Sequence, residues 1–473
     1  MDTKARIVAS IGPASNDKKI LRNMIKAGMR IARLNFSHGS YAGKKEVIQT
    51  LEELQAELNV NLSIIGDLQG PKLRLDMLPD SGVPVNKGEV IRFTTDESKA
   101  GDHHFFVNYK AFAKDVRKGN IILIDDGKMK LCAIESNNSD VVKAEVISGG
   151  TLYSKKGINL PDAELSLPAL TKKDKQDIRF AVENKMDWLA LSFVRKKEDI
   201  EELRTYITDL YGKSRIIAKI EKPEAVRDIT GIIRAADGIM VARGDLGVEI
   251  DFKMVPVIQK AIVKECICEA RPVIIATQML DSMIENFRPT RAEANDVANA
   301  VLDSADGLML SGETAIGDYP VESIESMNSI IQHTESEGEN YVPNHPPKED
   351  YKDFIPDSIC YNAYKMAEQS GAKAIILFTH SGYTAFRVAS HRPKATLYAF
   401  TWNKKLLKRL PLLWGMNAYH LSEFDDIDRA IKYSIDTLKY KGLVDTGDKL
   451  VHVGSTPLTS QASTNMIKLS TVD

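Results

Sequence analysis

The chain has 473 residues, 43% of them hydrophobic and 27% charged, with a formal net charge of −2. That length exceeds what one hydrophobic core organises, so two to four domains are expected, and the near-neutral charge gives no reason for a nucleic-acid or membrane-surface partner. No segment approaches the ~20 apolar residues of a membrane span, and the start MDTKARIVASIGPAS lacks the apolar run of a secretory signal, so a cytoplasmic protein is expected.

In chain order, β-favourable runs predict strands at 6–12 (RIVASIG), 30–37 (RIARLNFS) and 63–70 (SIIGDLQG). After a long gap they resume at 188–194 (WLALSFV), 215–221 (RIIAKIE), 238–245 (GIMVARGD), 272–278 (PVIIATQ) and 307–314 (GLMLSGET). Amphipathic helices such as 18–28 and 43–58 lie between neighbours. Most strand-to-strand spacings are about 22 to 35 residues, which suits βα units of a parallel sheet. Eight such units, with polar residues recurring at the same end, point to a (β/α)8 or TIM barrel. Those polar residues are Arg33, Asn35, Ser37, Asp67, Lys219, Glu221, Gly244, Asp245, Thr277, Ser311 and Glu313. In this architecture the carboxyl ends of the strands form the catalytic face.

The gap after the third strand is roughly four times the usual spacing and holds GEVIRFTT, HHFFVNY, NIILIDDGKMKLCAIES and DVVKAEVISGG. Short alternating runs broken by Asn, Gly and Asp turns read as antiparallel β. Residues 71–167 are therefore expected to form an inserted all-β domain at the catalytic mouth, placed to act as a water-excluding lid. The barrel is then 1–70 and 168–343. Beyond a Pro-rich polar stretch, YVPNHPPKEDY (341–351), residues 344–473 alternate helix and strand as a C-terminal α/β domain. Its elements are helix DSICYNAYKMAEQSG, strands AIILFT and TLYAFT, helix KKLLKRLPLLW, strand AYHLS, helix DIDRAIKYSIDTLKY and strand KLVHVGST. The four cysteines, Cys132, Cys266, Cys268 and Cys360, are too few for a disulfide scaffold. Cys266 and Cys268, in the helical stretch VPVIQKAIVKECICEA, read as small core thiols rather than a metal pair.

Lys219 and Glu221 raise the chemical question, because they stand two residues apart on one face of an apolar strand. Burying charge is costly unless it is paired or bound. Around them, RLNFSHG (33–39), GDLQGPKLR (66–74), KKGINLP (155–161), KIEKPEA (219–225), ARGDLGVE (242–249), ATQMLDSM (276–283) and LSGETAIGDYP (310–320) together resemble pyruvate kinase. The blocks run in that family's order and cover nearly the whole chain. The resemblance implies transfer of a phosphoryl group from phosphoenolpyruvate to ADP, giving ATP and an enolate that is protonated to pyruvate. Phosphoryl transfer needs in-line positioning and cations on the equatorial oxygens. Two carboxylates with substrate oxygens and waters suit Mg²⁺ or Mn²⁺.

The resemblance therefore assigns the divalent metal to Glu221 and Asp245 and the transferring phosphoryl to Lys219. It places the substrate against Arg33, Lys219, Gly244, Asp245 and Thr277, and the nucleotide against Asn35, His38, Arg74 and Lys156. Asn35, Ser37 and Asp67 match the family's K⁺ ligands, yet Leu68, Gln69 and Lys72 stand where K⁺-dependent members carry Thr, Lys and Glu. The Lys72 ammonium is expected to take the cation's place, leaving K⁺ not required. Thr277 and Ser311 are candidates for ordering a water relay to the enolate, although neither hydroxyl is itself an acid of suitable strength.

In THSGYTA a strand-to-helix turn at Thr379, Ser381, Gly382 and Thr384 offers small residues and free N–H groups to a phosphate, and the resemblance implies an allosteric pocket there for a phosphorylated effector, a sugar phosphate or AMP. Arg387, His391 and Arg392 follow on the helix, and GSTPLTS (454–460) is expected to face them. A homotetramer is the family expectation. Two rivals stand beside this reading. A metal-dependent aldolase or lyase on the same barrel would not need RLNFSH, the insertion or Lys156. A catalytically silent binding protein would not be expected to keep every chemical type.

Overall fold

Three apolar runs open the chain as β1 (Arg6–Ser10), β2 (Met29–Asn35) and β3 (Ser63–Asp67) in a computed structural model. The described residues are 3–101, 103–338, 342, 344–347, 353–422, 426–457 and 463–473. The predicted linker 341–351 lies mostly outside them, as do residues 458–460 of the segment 454–460.

The predicted insertion carries β4 (Val83–Val85), β5 (Val90–Thr94), β6 (His104–Phe106), β7 (Ile121–Ile124), β8 (Met129–Ser136), β9 (Val141–Ser148), β10 (Gly150–Leu152) and β11 (Ile158–Asn159). Parallel strands then resume as β12 (Trp188–Leu191), β13 (Arg215–Ile220), β14 (Gly238–Ala242), β15 (Val273–Ala276) and β16 (Gly307–Leu310). The sheet β1-β16-β15-β14-β13-β12-β3-β2 closes on itself as an eight-stranded parallel barrel. Every residue of β1, β3, β12, β14, β15 and β16 is buried, as expected where helices cover a parallel sheet outside and side chains fill it inside.

The period-two alternation sorts side chains into two cores. Ile7 and Ala9 join the helix-facing core, whereas Val8, Ile31, Ile65, Trp188, Ile217, Met240, Ile274 and Met309 pack together. The second core continues into Leu410, Leu412, Leu413 and Met416, so the barrel interior and the C-terminal segment share apolar contacts. A buried ion pair seals this junction: Arg392 Nη2 meets Asp306 Oδ2 at 2.7 Å, with both side chains at 2% exposure or less. Asp306 Oδ1 also accepts from Trp414 N at 3.0 Å.

The inserted strands form the sheet β11-β7-β8-β9-β5-β6 beside the pair β10-β4. Pairing is antiparallel except that β5 and β6 run parallel. The departure has a local cause: between β5 and β6 a 3-10 turn at Glu97–Lys99 and a bridge of Gly101 to His104 bring the chain back to the start of β5.

The C-terminal sheet is β17 (Ala374–Phe378), β18 (Thr396–Thr401), β19 (Met416–His420), β20 (Lys449–Gly454) and β21 (Met466–Thr471), ordered β19-β18-β17-β20-β21. The antiparallel edge strand β21 was not predicted, because IKLST is short and largely exposed. The predicted helix KKLLKRLPLLW breaks into Lys404–Leu407 and a 3-10 turn at Leu410–Leu412, where Pro411 has no N–H to continue a helix.

The barrel strands also end earlier than predicted, at Ser10, Asn35, Asp67, Leu191, Ile220, Ala242, Ala276 and Leu310. The polar residues that follow lie in turns or helix starts, such as Arg243–Glu249 and Gly312–Ala315.

Asp187, just before β12, sits at the foot of the barrel, where its Oδ2 accepts from Ile64 N at 3.0 Å. Burial pushes its carboxyl up to about 7, against the opposing pull of Lys408 and Arg409. Because the folded protein holds this proton more tightly than the unfolded chain, the stability it contributes is present at low pH and is lost as pH rises towards 7. The thermal midpoint of the wild type relative to Asp187→Asn should therefore fall between pH 5 and pH 8. A constant offset across that range would refute this origin.

Candidate active site

The carboxyl ends of β2, β3 and β13 are adjacent to the connection after β12, and their polar side chains converge. Lys219, on β13, points its ammonium at Glu221 Oε1 (2.8 Å), Asp67 Oδ1 (3.3 Å) and Ser192 Oγ (2.7 Å). Arg33, on β2, donates from Nε to Asp67 Oδ2 at 2.6 Å and from Nη1 to Ser10 Oγ at 2.8 Å. Glu221 Oε2 accepts from Phe193 N at 2.7 Å, where Phe193 adopts φ +56°. Lys219 is 9% exposed, and Asp67 and Glu221 are 1% exposed.

The electrostatics follow from this packing. Burial works against the Lys219 charge, but Asp67 and Glu221 overcome it and raise its pKa, so the ammonium stays protonated. Asp67 is held below its usual range despite its burial, because Lys219 and Arg33 flank it. Burial holds Glu221 above its usual range; Lys219 opposes that shift, and the like charge of Asp245 reinforces it.

The buried Glu221 and the half-buried Asp245 thus form a carboxylate pair, an oxygen donor set that suits a hard divalent cation. No group of three or more His, Cys, Asp or Glu side chains is arranged for a metal among the described residues. Two protein carboxylates suffice for Mg²⁺, which retains waters and substrate oxygens in its shell.

Asp245 and Gly244 lie in the first turn of the helix Arg243–Glu249, not on β14. The Gly244 amide donates to Thr277 Oγ1 at 2.8 Å. Thr277 follows β15 with φ +72°, a strained value for a β-branched residue. Arg243 clamps that turn, donating to Thr277 O at 2.7 Å and Gln278 O at 3.1 Å and pairing with Asp296 at 2.5 Å.

Asn35 Oδ1 accepts from Ser37 N at 2.9 Å, which closes a local turn after β2. The His38 carbonyl accepts from Lys44 Nζ, and the imidazole has no part in that bond. Arg74 and Lys156 lie where the insertion joins the barrel: Arg74 Nη1 donates to Lys155 O at 2.9 Å, and Lys156 pairs with Asp125 at 2.8 Å. Lys72 makes no ion pair among the described residues; its Nζ lies 3.9 Å from where a Gly157 β-carbon would stand. Asp67, expected with the alkali metal, is bracketed by Arg33 and Lys219. Glu313 is a structural acceptor, taking Ser311 N at 2.7 Å and Leu280 N at 3.1 Å, while Ser311 Oγ is buried with no hydrogen-bond partner among the described residues.

In the C-terminal sheet the turn after β17 lines a cavity of about 280 Å³ with Thr379, His380, Ser381 and Thr384, joined by Trp402 and Ser455. Gly382, at φ +95°, donates to Thr379 Oγ1 at 3.0 Å. Arg387, His391 and Arg392 do not line it. Arg387 pairs with Asp357 at 3.0 Å, His391 stacks on His345 and Tyr364, and Arg392 is buried against Asp306. Of the three, expected to follow on one helix, only Arg387 lies within Tyr383–Ser390; His391 caps that helix and Arg392, at φ +50°, follows it, so their side chains diverge from the turn.

Ser10, Ser192, Phe193 and Arg243 were not anticipated. Ser10 and Ser192 are common residue types at strand ends, and Phe193 contributes only its backbone. Arg243 stood within ARGDLGVE and was overlooked beside its acidic neighbour.

Arg33→Leu should leave Asp67 with one cation in a buried setting and destabilise the barrel by about 3 kcal/mol, measured by calorimetry. A loss below roughly 1 kcal/mol would place this pair with weak surface bridges.

Comparison with known proteins gives a consistent relationship. The family model "Pyruvate kinase, barrel domain" matches residues 2–324, and "Pyruvate kinase, alpha/beta domain" matches 357–470. A pyruvate kinase of Clostridium acetobutylicum is 40% identical over 476 residues, covering 99% of this chain and 100% of the relative. One of Clostridium perfringens is 38% identical over 478 residues, with coverage of 99% and 100%. A crystal structure of a pyruvate kinase from Cryptosporidium parvum superposes with a TM-score of 0.90 at 32% identity, covering 100% of this chain and 97% of that one.

Proposed function

The chain belongs to the pyruvate kinase family, whose reaction moves a phosphoryl group from phosphoenolpyruvate to ADP and yields pyruvate and ATP, and on that premise we propose how its own residues carry this out. The observation that supports the proposal best is the convergence of Lys219, Glu221, Asp67 and Arg33 at neighbouring strand ends, with Asp245 close enough to act on Glu221. Lys219 and Arg33 present two fixed cations to the phosphoryl oxygens, aligned in advance by Asp67. Such preorganised charge stabilises a loose phosphoryl transition state without reorganisation during the step. Glu221 and Asp245 would hold Mg²⁺ or Mn²⁺, which would supply the remaining neutralisation of the transferring charge.

Thr277 and the first turn of Arg243–Glu249 orient the substrate carboxylate, and the Gly244 amide exchanges its Thr277 partner for that carboxylate. The Ser311 hydroxyl, without a hydrogen-bond partner among the described residues, and Thr277 hold water for protonation of the enolate carbon. Arg74 and Lys156 approach the nucleotide from the lid, with Asn35 and His38 on the barrel side. Lys156 is then released from Asp125 by the incoming phosphates.

K⁺ is not required in this reading. Asp67 already faces two cations, and Lys72 carries its ammonium on a flexible stem five residues farther along. The cavity at Thr379, Ser381, Gly382 and Thr384 takes a phosphorylated effector, a sugar phosphate or AMP, in a homotetramer with the cytoplasmic location of a glycolytic enzyme.

A coupled assay of pyruvate formation from phosphoenolpyruvate, ADP and Mg²⁺ tests the activity. Lys219→Met should lower kcat by about 10³-fold or more while leaving the fold intact; wild-type turnover would remove Lys219 from the mechanism. Adding KCl against matched choline chloride should change the rate by less than about twofold, an energy difference under 1 kcal/mol. A many-fold rise would show that Lys72 does not replace the cation.

A further inference from the structure

Three parts of the catalytic mouth meet at one carboxylate that the mechanism above does not use. Glu249 closes the helix Arg243–Glu249 and is 3% exposed. Its Oε1 accepts from Lys222 Nζ at 2.6 Å and from Asn159 Nδ2 at 2.8 Å. Lys222, 7% exposed, directly follows the metal-side carboxylate Glu221. Asn159 ends β11, the strand by which the lid returns to the barrel. The lid approaches the same helix a second time, since a β-carbon on Gly127 would lie 3.8 Å from Val248 Cγ1.

We propose that Glu249 is a positioning residue that couples the lid to the metal and substrate face. Glu249 stands four residues after Asp245, on the same face of one helical turn, so displacement of its carboxylate moves the helix start that carries Gly244 and Asp245. Through Lys222 it also braces the turn that begins at Glu221. The lid enters this arrangement through Asn159 alone among these side chains, which makes Asn159 the contact that transmits lid position.

A buried ion pair contributes little stability over a well-packed apolar pair, and its best-attested use is to specify one arrangement. Glu249 Oε2 is buried and accepts no hydrogen bond among the described residues. An orphan acceptor of this kind is unfavourable in one fixed state and suits a carboxylate that gains a donor when the lid moves. Errors of about 1 Å in a catalytic constellation cost up to roughly 10²-fold in rate, so a modest loosening at Asn159 is enough to register.

The inference rests on the functional reading above, and the experiment separates the two. Asn159→Ala leaves the Lys222–Glu249 pair in place. It should lower kcat about tenfold while the KM for phosphoenolpyruvate stays within about twofold. It should also speed amide exchange at Leu75 and Ile158, whose N–H groups bond across the two lid connections at 3.0 Å. Asn159→Asp, which sets two carboxylates against each other, should lower kcat further. Asn159→Asp combined with Glu249→Gln restores a donor–acceptor pair and should recover most of the Asn159→Asp loss. Exchange rates equal to wild type, a kcat within twofold of wild type for Asn159→Ala, or no recovery in the double variant would each overturn the coupling. If the wild type formed no pyruvate, the functional reading would fail, and the exchange arm would still decide whether Asn159 holds the lid.

Discussion

A lysine ammonium buried between two carboxylates is the arrangement on which the catalytic face depends. Removing a charge from water is costly, and Lys219 keeps its proton because Asp67 and Glu221 more than offset that burial. The same contacts fix its direction, since Ser192 takes one of its donors and the carboxylates take the others. Asp67 then orients Arg33, so one buried acid aligns two cations on the same region. The reverse dependence also holds: without these cations, Asp67 would be an uncompensated buried charge.

The closed barrel supplies the geometry. Parallel strands end side by side, and residues at their carboxyl ends come from segments far apart in sequence. Asn35 is in register with Asp67, and Lys219 with Met240, so hydrogen-bond ladders set the spacing of the site. Beyond the ladders the backbone leaves the sheet through unusual conformations at Phe193, Thr277 and Gln278, all at positive φ. Such strain persists only where the surroundings hold it. Arg243 holds one of these turns through two carbonyls.

The lid and the C-terminal segment meet the barrel at opposite ends, by different means. At the foot, Val8, Ile31 and Met309 share an apolar core with Leu410 and Met416, and Arg392 with Asp306 adds a buried pair. At the mouth the contacts include hydrogen bonds and an ion pair, from Asn159 and Lys222 to Glu249 and from Arg195 to the Leu165 carbonyl. A large apolar contact resists motion, whereas a few hydrogen bonds can be exchanged. That asymmetry is the one the proposed coupling through a moving lid would require.

Much of this architecture was legible in the residues alone. Apolar runs at βα spacing, polar residues at one end of each run and the switch to short alternating runs are local signals, because burial and strand pairing leave period and composition on the chain. The convergence of Lys219, Glu221 and Asp67 was foreshadowed by their shared position at strand ends. Strand termination was not legible: Asp245 and Glu313 continue a strand-like sequence, yet the chain turns into helix at Arg243 and Gly312 once neighbouring strands stop pairing. The fate of Arg387, His391 and Arg392 was likewise decided by packing, since the helix ends at Ser390 and the three side chains meet Asp357, His345 and Asp306, residues far away in the chain. Whether Lys72 or Lys219 faces Asp67, and that Glu249 gathers Lys222 and Asn159, also depended on the tertiary fold. Residue type sets what a side chain can do, but its partner is chosen by distance in space, and separations of 27 and 90 positions leave no mark on the local pattern.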